Sequence, residues 1–209
     1  VGMILFSLAF MFFSIGLARP QIGAKLKEHQ SKGAEVMIAL DVSNSMLAQD
    51  YSPDRLQRAK LAISRLVDKL NGDRIGLVLF AGTSFVQLPI TTDYVSAKMF
   101  LGNISTESVP VQGTAIGDAI NTCIKSFSAQ SENSRAIIVI TDGENHEDNP
   151  VEAAKTAASM GISVYTIGVG SAQGQPIPMK GGLLKDSQGN IVVTKLDEAT
   201  LKEVAKAGN

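Results

Sequence analysis

The chain has 209 residues, with 19 basic and 20 acidic side chains and a net charge of −1. That balance gives no electrostatic footing for nucleic acid, and 5% aromatics without tryptophan disfavours stacking on sugars or bases. A single cysteine, Cys123, excludes an intrachain disulfide and a cysteine-rich metal site, and it leaves the compartment unassigned.

Residues 1–18, VGMILFSLAFMFFSIGLA, hold no charge, and the run stops at Arg19-Pro20. At about 1.5 Å per residue it reaches roughly 27 Å, so a transmembrane helix is expected. A signal peptide is the competing reading, but its apolar region is usually about 7–15 residues and ends in a small-residue cleavage site. Arg19, Lys25, Lys27 and Lys32 follow the run. On local counting they favour a cytoplasmic side for the rest of the chain, although the rule compares two flanks. Residues 19–33 are polar and read as a linker or stem. Residues 34–209 read as one domain, expected to continue beyond residue 209.

Within that domain, apolar β-branched runs at 36–40, 75–80, 136–140 and 162–169 have strand length and the continuity of strands buried on both faces. Helical patterns separate them, at 53–70, 93–101, 115–127 and 150–160. Ser52 and Pro53 read as the cap and first position of the 53–70 helix. Gly161 closes the helix before it. FVQLPITT (85–92) suits an antiparallel edge strand, where Pro89 is tolerable. Residues 183–193 read as a hairpin, and Asp197 as the cap of a final helix. The alternation predicts an α/β fold: a Rossmann-like open sheet, mostly parallel, with one antiparallel edge strand and helices on both faces.

In such sheets ligands bind outside the carboxyl ends of the strands. There the first strand delivers Asp41, Ser43 and Ser45, and the third long strand delivers Asp142 within TDGEN. Between them Gly113-Thr114 opens a helix. Two carboxylates and three hydroxyls at one edge describe a site for a hard cation, Mg²⁺ or Mn²⁺. Each has an ordinary alternative. Asp41, Ser43 and Ser45 are turn residues, Thr114 can cap a helix, and Asp142-Gly143 is a turn signal. Asn44, Met46, Gly113, Gly143, Glu144 and His146 are candidates for a partner-facing rim. Cys123 lies on an apolar helix face and reads as core.

DVSNS, GTAIGDAI and TDGEN resemble the D-x-S-x-S…T…D pattern of von Willebrand factor type A domains, their metal-ion-dependent adhesion site. The resemblance implies that Ser43, Ser45 and Thr114 offer hydroxyls to the metal. Asp41 and Asp142 would act largely through bound water, and the sixth position would await a partner's acidic group. LARPQ, IALDVSNSM, GDRIGLVLFAG, QLPIT and VITDGEN extend the similarity to the membrane-anchored Bat family, named for Bacteroides aerotolerance. That similarity implies an inner-membrane protein with further helices and a periplasmic domain, against the local charge count. It also implies other Bat components as partners and a MoxR-type AAA+ ATPase as an indirect one. An enzymatic alternative makes Asp41 the nucleophile of a Mg²⁺-dependent phosphatase. That chemistry wants a second carboxylate two residues on as acid/base, where this chain has Ser43.

Overall fold

Each apolar run becomes a strand. In a computed structural model, which describes residues 2–17, 33–128, 133–145 and 147–209, they form β1 (Glu35–Asp41), β2 (Arg74–Phe80), β4 (Arg135–Thr141) and β5 (Ile162–Gly168). β3 (Ser84–Thr91) is the expected antiparallel edge, paired with β2. The sheet order is β3-β2-β1-β4-β5, and the β1–β2, β1–β4 and β4–β5 pairs are parallel. The chain thus builds outward from β1 through β2 to β3, then returns to β4 on the other side of β1. The order reverses between β1 and β4, and the carboxyl ends of those two strands open on a crevice.

The helices are α2 (Arg55–Val67), α3 (Tyr94–Gly102), α4 (Ile116–Ser126), α5 (Pro150–Ser159) and α6 (Glu198–Ala207). β1 shows why both sheet faces need cover, since successive strand residues point to opposite sides. Ile38 and Leu40 join Leu77, Leu79 and the apolar side of α2 and α3. Met37 and Ala39 join Val78, Phe80 and the apolar sides of α4 and α5. Cys123 is buried in that second cluster, as expected. Full burial of each large aliphatic or aromatic side chain contributes about 1.5–3 kcal/mol.

Two local expectations are corrected. α2 does not start at Ser52-Pro53: Asp54 is its cap, with extended backbone and a carboxylate accepting from Gln57 N at 2.7 Å. A carboxylate reaches a free first-turn N–H as well as a serine hydroxyl does and also faces the positive end of the helix. Asp54→Ala is expected to cost about 1 kcal/mol, measured by chemical denaturation. The second correction concerns residues 183–193, which form a smaller hairpin than expected. A Lys185–Ile191 bridge closes on a turn organised by Asp186. Around it lie short pairs, β6 (Gln175–Pro176) with β9 (Val193–Thr194) and β7 (Pro178–Met179) with β8 (Gly182–Leu183). Asp197 caps α6 as expected, accepting from Ala199 N and Thr200 N.

The first residues belong to a separate unit, in which α1 runs from Gly2 to Leu17. At about 1.5 Å per residue its 16 residues reach about 24 Å. Among the described residues no helix is long and apolar enough to cross a membrane, so the transmembrane span expected over 1–18 is not reached there. Residues 19–32 of the expected linker lie outside the described residues.

Candidate metal centre

Asp41 is the last residue of β1, and Asp142 follows the last residue of its neighbour β4. Both carboxylates are fully buried. The chain after β1 bends at once into a 3₁₀ turn, Asn44–Leu47, because Asp41 Oδ1 accepts Ser43 N at 2.8 Å. This turns Ser43 and Ser45 the same way, and their hydroxyl oxygens lie 2.9 Å apart. The other Asp41 oxygen accepts the Thr141 hydroxyl at 2.5 Å, and Thr141 Oγ1 in turn accepts Gly143 N at 3.1 Å. Thr141 thereby locks the end of β4 to the end of β1. The sequence reading missed it because a threonine ending a β-branched run looks like ordinary strand.

Thr114 arrives from the loop before α4, buried, with no hydrogen-bond partner for its hydroxyl among the described residues. It does not cap α4. Asn145 Oδ1 accepts Ile116 N, and the Asp148 carboxylate accepts Gly117 N and Asp118 N. The loop after β4 therefore caps the helix, which leaves the threonine hydroxyl out of that work. Gln112 sets the distance between the two loops: its Oε1 accepts Asn44 N at 3.0 Å, while its Nε2 donates to Thr106 O at 3.3 Å.

The electrostatics are those of a crowded, dry acidic site. Burial and the neighbouring Asp142 charge push the Asp41 carboxyl up to about 7, against the hydrogen bonds from Ser43 and Thr141. Asp142 is also raised, first by burial and then by Glu144, with Ser45, Arg55 and Thr194 opposing. A cation beside the pair would favour both ionised forms. Among the described residues no three His, Cys, Asp or Glu side chains gather into a metal cluster. The donors that do converge are hydroxyls around two acids, an oxygen-only set of the kind hard divalent cations take.

The rim differs from expectation. Met46 is fully buried and packs in the core with Val42 and Leu56, because the 3₁₀ turn sends its side chain under the sheet end. Gly143 is buried too: a Cβ there would stand 2.7 Å from Asp197 O. Glu144 is committed to the segment before α6, with Oε1 accepting Lys195 N at 2.9 Å and Oε2 3.0 Å from Thr194 Oγ1. Asn44 and Gly113 remain at the crevice mouth, partly exposed. His146 lies outside the described residues.

Comparison with known proteins gives this arrangement a family. Residues 35–206 match the model of the von Willebrand factor type A domain. The chain is similar to the conserved hypothetical protein BatB from Bacteroides thetaiotaomicron. Identity is 57% with a TM-score of 0.82, over 84% of this chain and 87% of that one. An aerotolerance-related membrane protein from Bacteroides fragilis is similar at 56% identity and TM-score 0.82, over 84% of this chain and 88% of that one. An uncharacterized protein of Borreliella burgdorferi is 32% identical over 79% of this chain, which spans only 49% of that relative's length. The chain, α/β with its site at the β1/β4 switch, belongs to the von Willebrand factor type A domain family.

Proposed function

We propose that the domain is a divalent-cation-dependent protein-interaction module of a bacterial membrane complex. In this reading Ser43, Ser45 and Thr114 offer hydroxyls to Mg²⁺ or Mn²⁺, and Asp41 and Asp142 supply the compensating charge. The bound ion would give the domain a Lewis-acidic point that an acidic residue of a partner protein completes. The observation that carries the reading is a pair of fully buried, neighbouring carboxylates with the Ser43 and Ser45 hydroxyls bonded beside them, and the loop of buried Thr114 tied to Asn44 through Gln112. Burying two neighbouring acids costs stability that a divalent cation beside them would offset.

The likeness to BatB and to an aerotolerance-related membrane protein supports a place among Bat components. A MoxR-type AAA+ ATPase is the proposed indirect partner and the periplasm the proposed side. The uncharged helix α1, with Met3, Ile4, Leu5 and Phe6 exposed, supports attachment to the inner membrane. Both Asp41 oxygens accept hydrogen bonds and the side chain is fully buried, which speaks against a phosphatase nucleophile there.

Thermal unfolding in chelator and in Mg²⁺ tests the reading. A ligand that binds only the folded state at about 100-fold over its Kd stabilises by about 2.7 kcal/mol. We expect a rise in Tm with Mg²⁺ and Mn²⁺ that chelator reverses. A Tm unmoved by either ion at millimolar concentration would count against a cation site.

A further inference from the structure

One buried charge touches the site without belonging to its donor set. Arg55, the first residue of α2, is fully buried and spends its guanidinium on three elements. Its Nη1 donates to Asp142 Oδ2 at 2.8 Å and to Thr194 Oγ1 at 3.0 Å. Its Nε and Nη2 hold the Asp50 carboxylate at 3.0 and 2.8 Å. Asp50 Oδ2 also accepts Ser171 N at 2.7 Å, and Gly170 lies so close that a Cβ there would meet Arg55 Cζ at 2.9 Å. The segment between β5 and α6 is thus folded over the guanidinium and shuts it from water.

This cation sits against a carboxylate assigned to the metal site, and it occupies the Oδ2 atom together with Thr194. Asp142 Oδ1 accepts a 3.3 Å bond from Glu144 N, and Ser45 also hydrogen-bonds the carboxylate. A fixed positive charge in direct contact with one of two site acids opposes a second cation by simple Coulomb repulsion, which is strong at low dielectric. Asp50, which shares the guanidinium, moderates that repulsion. We propose that Arg55 is a positioning residue of the metal site, a built-in counter-cation that competes with the divalent ion for Asp142 and holds cation affinity low in the free domain. The proposal rests on the metal-site reading above. It adds a specificity: a partner that brings its own carboxylate to the ion supplies negative charge that offsets what remains of the Arg55 repulsion.

The test is calorimetric titration of the whole chain, in mild detergent, with Mg²⁺ and with Mn²⁺. The variant Arg55→Met/Asp50→Leu removes a buried positive and a buried negative charge together and leaves net charge unchanged. Its Kd for Mg²⁺ is expected to fall about tenfold or more below that of the wild type. Asp50→Asn, which leaves Arg55 with Asp142 as its remaining carboxylate, is expected to raise Kd severalfold. It also carries the test if the double variant fails to fold. A guanidinium that merely braces Asp142 predicts weaker binding when Arg55 is lost. A folded double variant with wild-type or weaker affinity would therefore overturn the proposal, as would unchanged affinity in Asp50→Asn. Weak but saturable binding in the wild type that tightens in the double variant would support it. Binding in neither would bring down the metal reading and this proposal with it.

Discussion

Replacing Arg55 by methionine alone is expected to destabilise the folded chain by about 3–5 kcal/mol, the usual result of removing one partner from a buried ion pair. The cause is what stays behind. Asp50 and Asp142 keep their burial but lose the guanidinium that bonds both. Asp142 then faces Asp41 and Glu144 with only hydroxyls and backbone N–H groups to offset them. Methionine fills the volume of the stem but satisfies none of those oxygens. Chemical denaturation at neutral pH measures the loss. Adding Asp50→Leu should recover part of it, because one of the two stranded carboxylates is then gone. A loss below about 1 kcal/mol for the single variant would mean that water reaches the site and replaces the guanidinium.

Gly143→Ala is the second large effect. Gly143 follows Asp142 directly and has φ of 83°, a conformation that an L side chain adopts only at a cost of about 1–2 kcal/mol. The added methyl would stand 2.7 Å from the Asp197 carbonyl oxygen and 2.9 Å from Leu201 Cγ. The nearest of those atoms is backbone at the start of α6, so a rotamer change cannot make room. Asp197 N also donates to Asp142 O at 2.8 Å, which ties the start of α6 to the strand end. Overpacking adds about 1–3 kcal/mol, for a total of about 2–5 kcal/mol. The helix must lift away from the site, so cation affinity should fall as well. Denaturation and metal titration of the same variant check both effects. A stable variant with unchanged metal binding would show that α6 does not brace the β4 end.

The fold was legible because the sheet is buried on both faces. Unbroken runs such as VMIAL and AIIVI in the sequence become strands whose ends differ from expectation by a residue or so. The two acids proposed for the metal site could be placed from sequence, since a strand end in a parallel sheet is a fixed place: Asp41 ends β1 and Asp142 lies one residue past the end of β4. What lay hidden was the layer behind them. Arg55 reads as one charge among several in PDRLQRAK, yet it heads an every-fourth-residue stripe with Ala59, Ile63 and Val67, all buried. That spacing was the available signal. No spacing gave Thr194, because its role depends on β6 pairing with β9 and bringing a distant threonine to the site. Part of the rim was hidden for a similar reason. Glu144 looks like a rim acid until the tertiary structure sets it against Thr194 and Lys195.

The central claim is that Asp41, Ser43, Ser45, Thr114 and Asp142 form a divalent-cation site. Calorimetric titration of Mg²⁺ and Mn²⁺ into the wild-type chain, beside Ser43→Ala/Ser45→Ala, tests it most directly. The account predicts saturable binding to the wild type and its loss in a double variant that unfolds at a similar temperature in chelator. Binding that survives loss of both hydroxyls would contradict it. So would the absence of binding to both the wild type and the Arg55→Met/Asp50→Leu variant.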